Sequence, residues 1–346
     1  MDAEPAVEEG APSDRNFIIG LVIAAAVLLV AAVAWVLFRS DGTDVGGPHR
    51  TDAPVLDAII DEPTSGAVVA TLWSSPSAVV ADGERLYVLD TGNNRILSTD
   101  GLGVVDAIIC ETDDCAFTLA SPEDMDVHDG LFYVANTGRG TVEVIDPSGT
   151  VVRTIEFPAD ETAARTTGVF VAADGSVYVS DATSGRVGIF GPDGEFRNFF
   201  GEAGGPGALS FSSPAGLTVD SDGNLYVAEY TVGRVQKLSP AGRHLAMFEM
   251  VPGAVNVSEA TDVVIGDNGF LYMADNKRSI VHVFAESGRY LGIVGLVDAA
   301  RRDSTGALLR PYGLEIQGDT LTVIDRVRGQ LNFTIPEEYF LGEDSS

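Results

Sequence analysis

One short phrase recurs six times along this 346-residue chain, and its regular spacing constrains the fold more than any other feature. Each copy is an apolar run that ends in an acid or an amide. The copies occupy residues 86–90, 132–136, 177–181, 225–229, 271–275 and 321–325, and their second positions are 46, 45, 48, 46 and 50 residues apart. A period in the forties with several strand-like runs is typical of a β-propeller, where each repeat forms one blade. The sequence therefore predicts an all-β fold, a six-bladed β-propeller, over residues 65–335.

Each repeat contains the strands and turns of a four-stranded blade. In the fourth copy, four strand-like runs over residues 214–220, 225–228, 234–238 and 243–248 are separated by turns that contain glycine, which supplies the positive φ of a tight hairpin. The sixth copy has three such runs and ends near Phe333. We expect residues 67–72 to supply its outer strand, because the ring would then close without an exposed edge.

An uninterrupted apolar segment, residues 18–37, lies near the N-terminus. A helix of this length is about 30 Å long, which matches the hydrocarbon core of a bilayer. Arg15 and Arg39 flank it, and Trp35 and Phe38 lie where interfacial aromatic residues are enriched. We expect a single transmembrane helix over residues 17–38. Two alternatives remain open: a cleaved signal peptide, against which the acidic leader argues, and a buried soluble helix, for which a propeller offers no partner.

The other segments complete the predicted domain map. Residues 1–16 form an acidic leader that we expect to be disordered, residues 39–64 a stalk rich in Asp, Gly, Pro and Thr, and residues 336–346 an acidic tail. Cys110 and Cys115 lie in one polar loop, where they would form either a short-range disulfide or two unpaired thiols. Because disulfides persist outside the cytoplasm, we expect a cell-membrane protein with an extracytoplasmic propeller and a cytoplasmic leader.

The chain is strongly acidic, with a formal charge of −30 from 21 basic and 51 acidic residues. Such a surface repels nucleic acid, whose binding depends on neutralising phosphates, and it repels anionic lipid. We therefore expect no nucleic-acid partner. The partner would be a protein, a peptide or a cell-envelope component, and the charge favours a cation or a basic surface. The alternative is a solvated acidic coat without a specific partner.

The repeat resembles that of the NHL-repeat family of propellers. That family's phrase is an inner strand that opens Pro-x-Gly, an Asp-Gly turn, and a Tyr-Val-x-Asp strand, and the copies here follow it with substitutions. Three copies also keep an arginine five residues after the acid: Asp90 with Arg95, Asp181 with Arg186, and Glu229 with Arg234. The other three depart from the pattern with Thr141, Ile280 and Gln330. The resemblance implies a fold more than an activity, because relatives include sensor domains of bacterial receptor kinases, RNA-binding proteins, an amidating lyase and, more distantly, lactonases.

The acids and amides that end the second strand of each copy would form a ring on one face of the propeller. We predict that this face binds the partner, with Asp90, Asn136, Asp181, Glu229, Asp275 and Asp325 as the candidate residues. The alternative is structural: each acid forms a salt bridge with the arginine of its own blade and fixes the loop between them.

Candidate catalytic groups are scarce in the sequence. The four histidines, His49, His128, His244 and His282, occupy unrelated places in the repeats, and neither cysteine is placed beside a histidine. We therefore predict a binding, scaffold or sensor module that does no covalent chemistry.

The alternative function is a metal-dependent hydrolase or lyase with its site at the mouth of the channel. Glu123, Asp124 and Asp262 precede or begin inner strands, and with Asn136 and Asp275 they offer oxygen ligands of the kind that Ca²⁺ prefers. A divalent metal at that place is also what the distant lactonases imply. Against this metal site stands the plain alternative that these acids belong to the acidic coat.

Overall fold

The computed structural model describes residues 73–100, 104–110, 119–158, 164–203, 207–249, 258–295 and 307–335. Several predictions fall outside these ranges: the leader, the apolar segment 17–38, the stalk, the closing strand 67–72, Cys115 and the tail 336–346. Within the described residues no helix is long and apolar enough to cross a membrane.

The described ranges contain 25 strands, β1–β25, and one single-turn 3₁₀ helix, Thr91–Asn93. Blades 1 and 2 comprise β1–β8: Ala78–Asp82, Arg85–Asp90, Arg95–Thr99, Val105–Ile109, Asp124–His128, Leu131–Asn136, Thr141–Ile145 and Val151–Glu156. Blade 3 comprises β9–β12: Thr166–Val171, Val177–Asp181, Arg186–Phe190 and Phe196–Phe200. A short parallel pair, β13 and β14, follows at Glu202–Ala203 and Ser210–Phe211. Blades 4 and 5 comprise β15–β22: Pro214–Val219, Leu225–Glu229, Arg234–Leu238, His244–Glu249, Ala260–Ile265, Leu271–Asp275, Ile280–Phe284 and Tyr290–Val294. Blade 6 comprises β23–β25: Pro311–Gln317, Thr320–Asp325 and Gly329–Thr334.

Each blade is an antiparallel sheet whose strands are neighbours in sequence order, from an inner strand outwards. Blades 1 to 5 have four strands, and blade 6 has three within the described residues. The fourth copy follows the predicted pattern closely: β15 pairs with β16, β16 with β17, and β17 with β18. The prediction of an all-β, six-bladed propeller is confirmed.

The blades are held together by apolar side chains that fill the seams between them. Because successive residues of a strand point to opposite faces of the sheet, one strand serves two seams. In β2, Val88 packs towards blade 6 with Ile324, whereas Leu89 packs towards blade 2 with Phe132. The described residues form six such clusters, one at each seam. This two-sided burial explains why the middle strands are apolar at nearly every position.

The ring closes where blade 6 meets blade 1. Besides the cluster around Ile324, the Gln317 side-chain amide donates a hydrogen bond to the Gly83 carbonyl at 3.1 Å. A Cβ on Gly313 would lie 2.5 Å from the Ser77 carbonyl oxygen, and one on Gly216 would collide with the Asp262 carboxylate. The glycine of Pro-x-Gly is therefore required where neighbouring inner strands approach closely around the central channel.

Candidate functional site

The six predicted face residues lie beneath the face of the ring, not on it. Asp90, Asn136, Asp181, Glu229, Asp275 and Asp325 are all buried, at 0–2% exposure. Each side chain accepts a hydrogen bond from the backbone of the segment that leads into its own blade; the donors are the amides of Ser74, Ala120, Arg165, Ser212, Glu259 and Leu309. The ring of acids and amides therefore fixes the loops of this face, and other residues form its surface.

The acid-to-arginine salt bridge occurs in blades 1 and 4. The Arg95 Nε lies 2.8 Å from the Asp90 carboxylate, and the Arg234 Nε lies 2.6 Å from the Glu229 carboxylate. Blade 5 has no arginine at that position. There the His282 Nε2 lies 3.1 Å from Asp275 Oδ2, with both side chains fully buried, and the Arg278 Nε lies 3.9 Å from the same oxygen. Burial lowers the pKa of His282, which favours the neutral ring. His282 is thus a packing residue of the blade.

The central channel is lined by the inner strands of all six blades and encloses about 260 Å³. Its acidic side chains connect neighbouring blades. The Asp124 carboxylate accepts a hydrogen bond from the Val169 amide at 2.8 Å, and the Asp262 carboxylate accepts one from the Leu314 amide at 2.8 Å. Inner strands are the edges of their sheets, so these carboxylates satisfy backbone donors that no ladder reaches.

Asp126 and Glu315 complete the set of four channel carboxyls. Asp126 accepts a hydrogen bond from the Val171 amide at 2.6 Å, and Glu315 accepts one from the Ala81 amide of blade 1. With Asp124 and Asp262, they link blade 2 to blade 3, blade 5 to blade 6, and blade 6 to blade 1.

Burial raises the pKa of all four channel carboxyls. The pKa rises to about 6 for Asp126, to about 7 for Asp262 and to about 8 for Glu315. The pKa of Asp124 is raised well above its usual value, first by burial and then by the charge of Asp262. These four residues are partly exposed, because their side chains face the channel. The protein around them nevertheless disfavours the charged form.

The residues predicted to hold a metal are divided among different places. Asp124 and Asp262 share the channel, Glu123 lies at its mouth, and Asn136 and Asp275 are buried within their blades. Within the described part of the chain, no three His, Cys, Asp or Glu side chains are grouped so as to hold a metal ion. The channel carboxylates are also committed to backbone amides. The predicted Ca²⁺ site stays a prediction, since these residues do not form one cluster in the described part of the chain.

A second cavity, of about 350 Å³, opens at the mouth of the channel on the face where the inner strands begin. We call it the mouth pocket. Its lining comes from blades 2 to 6 and includes three arginines, two tyrosines and one acid: Arg165, Arg310, Arg326, Tyr230, Tyr312 and Glu123. Three positive charges against one negative charge leave a net charge of +2 on this lining. The centre of the face is therefore basic, although the chain as a whole carries −30.

The arginines of the mouth pocket differ in their partners. Arg165 forms a salt bridge with Glu123 at 2.8 Å. Arg310 and Arg326 form none with the described residues. The Arg326 guanidinium instead lies over the Tyr312 ring, 3.4 Å from its centroid. The Arg326 Nε is buried and has no hydrogen-bond acceptor in the described structure. Leaving a buried donor unsatisfied costs about 1–3 kcal/mol.

The repeat pattern alone does not single out these arginines. Arg165 and Arg310 come just before inner strands, and Arg326 directly follows the acid of the sixth copy. The sequence did contain a signal for them. Basic residues are few, and in blade 6 Arg310 precedes the inner strand while Arg326 follows the second strand, so both lie at the same end of the blade. The backbone amide of Arg326 donates to the Arg310 carbonyl at 3.0 Å, which holds the two residues side by side.

The remaining candidates do not line either cavity. Cys110 follows the outer strand of blade 1 and is disulfide-bonded; Cys115, the only other cysteine in the sequence, is outside the described residues. His128 ends the inner strand of blade 2, and His244 begins the outer strand of blade 4.

Comparisons with known proteins agree with this architecture. The family model of the NHL repeat matches residues 211–238, which include the inner, second and third strands of blade 4. No curated protein matches the chain.

Several solved structures have a similar fold. A gluconolactonase from Xanthomonas campestris is 14% identical with a TM-score of 0.57, over 76% of this chain and 87% of that one. Virginiamycin B lyase from Staphylococcus aureus is 13% identical with a TM-score of 0.53, over 77% and 86%. A chain of a nidogen/laminin complex is 19% identical with a TM-score of 0.53, over 69% of this chain and 84% of that one. At these identities the likeness concerns the fold alone. The repeat pattern, the family match and the six closed blades together identify the chain as an NHL-repeat β-propeller.

Proposed function

We propose that this protein is a binding module of the cell envelope that takes a group of its partner into the mouth pocket. The observation that carries the proposal is the convergence of loops from five blades on one concave, polar and aromatic cavity at the centre of the ring. Ligand sites are commonly cavities of this size that present a few convergent polar groups on a rigid scaffold. The partner is a protein, a peptide or another envelope component.

The buried ring beneath the face supports this role. Asp325 accepts hydrogen bonds from the backbone amides of Leu309, Arg310, Val327 and Arg328, at 2.6–2.9 Å. These bonds fix both loops that carry Arg310 and Arg326. A site whose side chains are held in place before binding loses less entropy when the ligand arrives.

The proposed place of the propeller is outside the cytoplasm, tethered through the apolar segment 17–38. Protease protection in intact cells tests this: the propeller should be cleaved from outside, and a propeller protected until the cells are lysed would refute the orientation.

A screen of small fragments tests the pocket itself. We would measure binding of neutral, cationic and anionic fragments to the full chain in detergent by ligand-observed NMR, and then repeat it with Ala182→Trp, which places an indole at the pocket wall. Ala241→Trp, in the exposed turn of blade 4, is the matched control. We expect fragments that bind the wild type and the control and are lost from Ala182→Trp. If no fragment distinguishes the two variants, the mouth pocket is not the binding site.

A second candidate function, a hydrolase or lyase, is favoured by one observation. Asp124 and Asp262 interact across the channel, and their raised pKa values bring them towards the range in which a carboxyl can donate or accept a proton near neutral pH. Turnover of a lactone by the wild type that is abolished in Asp262→Asn would establish it. Elemental analysis after dialysis separates the metal-dependent form, since stoichiometric calcium or zinc would indicate a metal site.

A further inference from the structure

The arginines of the propeller fall into two groups: those that form an ion pair with a carboxylate of the described residues, and those that do not. Arg95 and Arg234 are paired with the acids of their own blades, and Arg165 is paired with Glu123. Arg310 and Arg326 line the mouth pocket and pair with no carboxylate of the described residues. In a chain with 51 acids and 21 basic residues, two neighbouring arginines without a counter-ion are unexpected on composition alone.

The geometry points to an oxyanion, a single carboxylate or phosphate group, as the group bound by Arg310 and Arg326 in the mouth pocket. This inference rests on the proposed function, since it names the chemistry of the group that the pocket receives. Guanidinium groups present a planar set of N–H donors that matches carboxylate and phosphate oxygens.

Arg326 is held in place for this contact by its neighbours. Its guanidinium stacks on Tyr312, which limits the rotamers available to it, and its buried Nε has no acceptor in the described structure. Arg310 is exposed on the same loop pair, and the hydrogen bond from the Arg326 amide to the Arg310 carbonyl keeps the two together. An oxyanion beside this pair would be attracted by two positive charges that no described carboxylate neutralises.

The described acids near the pocket do not form ion pairs with Arg310 or Arg326. Glu123 is engaged by Arg165, and Glu259 accepts a hydrogen bond from the Tyr230 hydroxyl at 3.0 Å. Asp325 is buried and is engaged by four backbone amides. These three carboxylates are thus already bonded to other groups.

The charge of the whole chain restricts the size of the ligand. A polyanion would interact with many acids beyond the pocket and be repelled, whereas one anionic group experiences the local +2 of the lining. The ligand is accordingly a small acid, or a partner that presents one carboxylate or phosphate.

Calorimetry on the full chain in detergent tests the inference with three probes: succinate, inorganic phosphate, and succinamide as the neutral match of succinate. We expect saturable binding of succinate or phosphate, weaker in high salt, and none of succinamide. The anion that binds more tightly tells a carboxylate ligand from a phosphate ligand.

Variants then assign that binding to the two arginines. Arg310→Gln and Arg326→Gln should each weaken binding about tenfold or more, which is typical for loss of a charge-assisted hydrogen bond. Arg326→Lys should also weaken it, because lysine lacks the planar donors. Arg243→Gln, an exposed arginine on the outer side of blade 4, makes the same charge change and should bind as the wild type does. Since Arg310 is exposed, its variant should fold even if the Arg326 variants do not.

Three outcomes would overturn the inference, and they are distinguishable. If neither anion binds but neutral or cationic fragments are lost from Ala182→Trp, the pocket is a binding site and the anion assignment is wrong. If succinate or phosphate binds equally to Arg310→Gln, Arg243→Gln and the wild type, the anion site lies elsewhere. If no fragment of any charge depends on Ala182, the proposed function fails as well.

Discussion

The channel and the mouth pocket are neighbours along the same inner strands, yet their charged residues differ. The channel is lined by four carboxyl groups, and the mouth pocket by three arginines and one acid. Glu123 lines the mouth and Asp124, the next residue, lines the channel; Tyr312 and Glu315 are divided in the same manner along β23. In the channel, the acids accept hydrogen bonds from the backbone of the next blade. At the mouth, Arg326 has a buried donor that no described residue accepts.

This difference separates groups that hold the ring together from groups that are available to a ligand. A carboxylate with a backbone partner in the next blade contributes to the seam between the two blades. Arg310 and Arg326 have no carboxylate partner among the described residues, so their charges remain available to a ligand. Charge and position alone would not distinguish the two, because both regions lie at the centre of the ring.

The largest effect is expected from Asp325, which lies beneath the mouth pocket. Asp325→Ala removes the acceptor of four backbone amides and should lower the free energy of unfolding by about 3–5 kcal/mol. Because those amides belong to the loops of Arg310 and Arg326, oxyanion binding should fall with it. Urea denaturation and calorimetry measure the two effects.

The control for this variant is Asp193→Ala, which removes a carboxylate of an exposed turn that accepts a hydrogen bond from the Glu195 amide at 3.1 Å. It should change the free energy of unfolding by about 0.5 kcal/mol or less. A small effect of Asp325→Ala, similar to that of Asp193→Ala, would show that the buried ring does not fix the face.

A smaller effect is expected from pH, and it arises in the channel. In the folded state the pKa is about 6 for Asp126, about 7 for Asp262 and about 8 for Glu315. In the unfolded chain the same carboxyl groups lose their protons near pH 4. The folded protein therefore binds more protons between pH 4 and 8, and its stability should fall as the pH rises through that window. We expect a loss of about 3 kcal/mol, because the carboxyls interact and channel water screens them. The lowered pKa of His282 has the opposite effect. Below pH 6.5, its usual pKa, the unfolded chain binds more protons at this residue, so its contribution lowers the stability as the pH falls.

Glu315→Gln tests whether the channel carboxyls cause this pH dependence. The amide keeps an oxygen that can accept the bond from Ala81 but carries no charge. We expect the variant to unfold at higher urea concentrations than the wild type at pH 8 and at nearly the same concentration at pH 4.5. A pH profile unchanged by the substitution would place the dependence outside the channel.

The smallest effect on stability is expected at the mouth. Arg310→Gln removes an exposed side chain without an ion-pair partner among the described residues, so the free energy of unfolding should change by about 0.5 kcal/mol or less. The same variant should lose oxyanion binding, which separates binding from folding within one substitution. Thermal unfolding beside calorimetry measures both, and a clear loss of stability would make Arg310 structural.

Much of the fold could be predicted from the sequence because a repeat records local rules. The alternation of strands and glycine turns predicted the four strands of blade 4, and the six copies predicted the number of blades. The spacing of Asp90 and Arg95 predicted a salt bridge that forms, because both residues bracket one loop. Where the arginine is missing, the pattern could not predict that His282 would reach Asp275 from the third strand.

The sequence by itself determined the blade, its turns and the number of copies, since these depend on residues within about fifty positions of one another. The tertiary structure alone decided which charged groups share a cavity. Arg165 and Arg310 are far apart in the chain, and closure of the ring brings both to the mouth pocket. Closure likewise turns the inner strands towards one channel, so that Asp124 and Asp262 interact although 138 positions separate them in the sequence. The reason is physical: hydrogen bonds within a blade are local, whereas the electrostatics at the centre depend on all six blades at once.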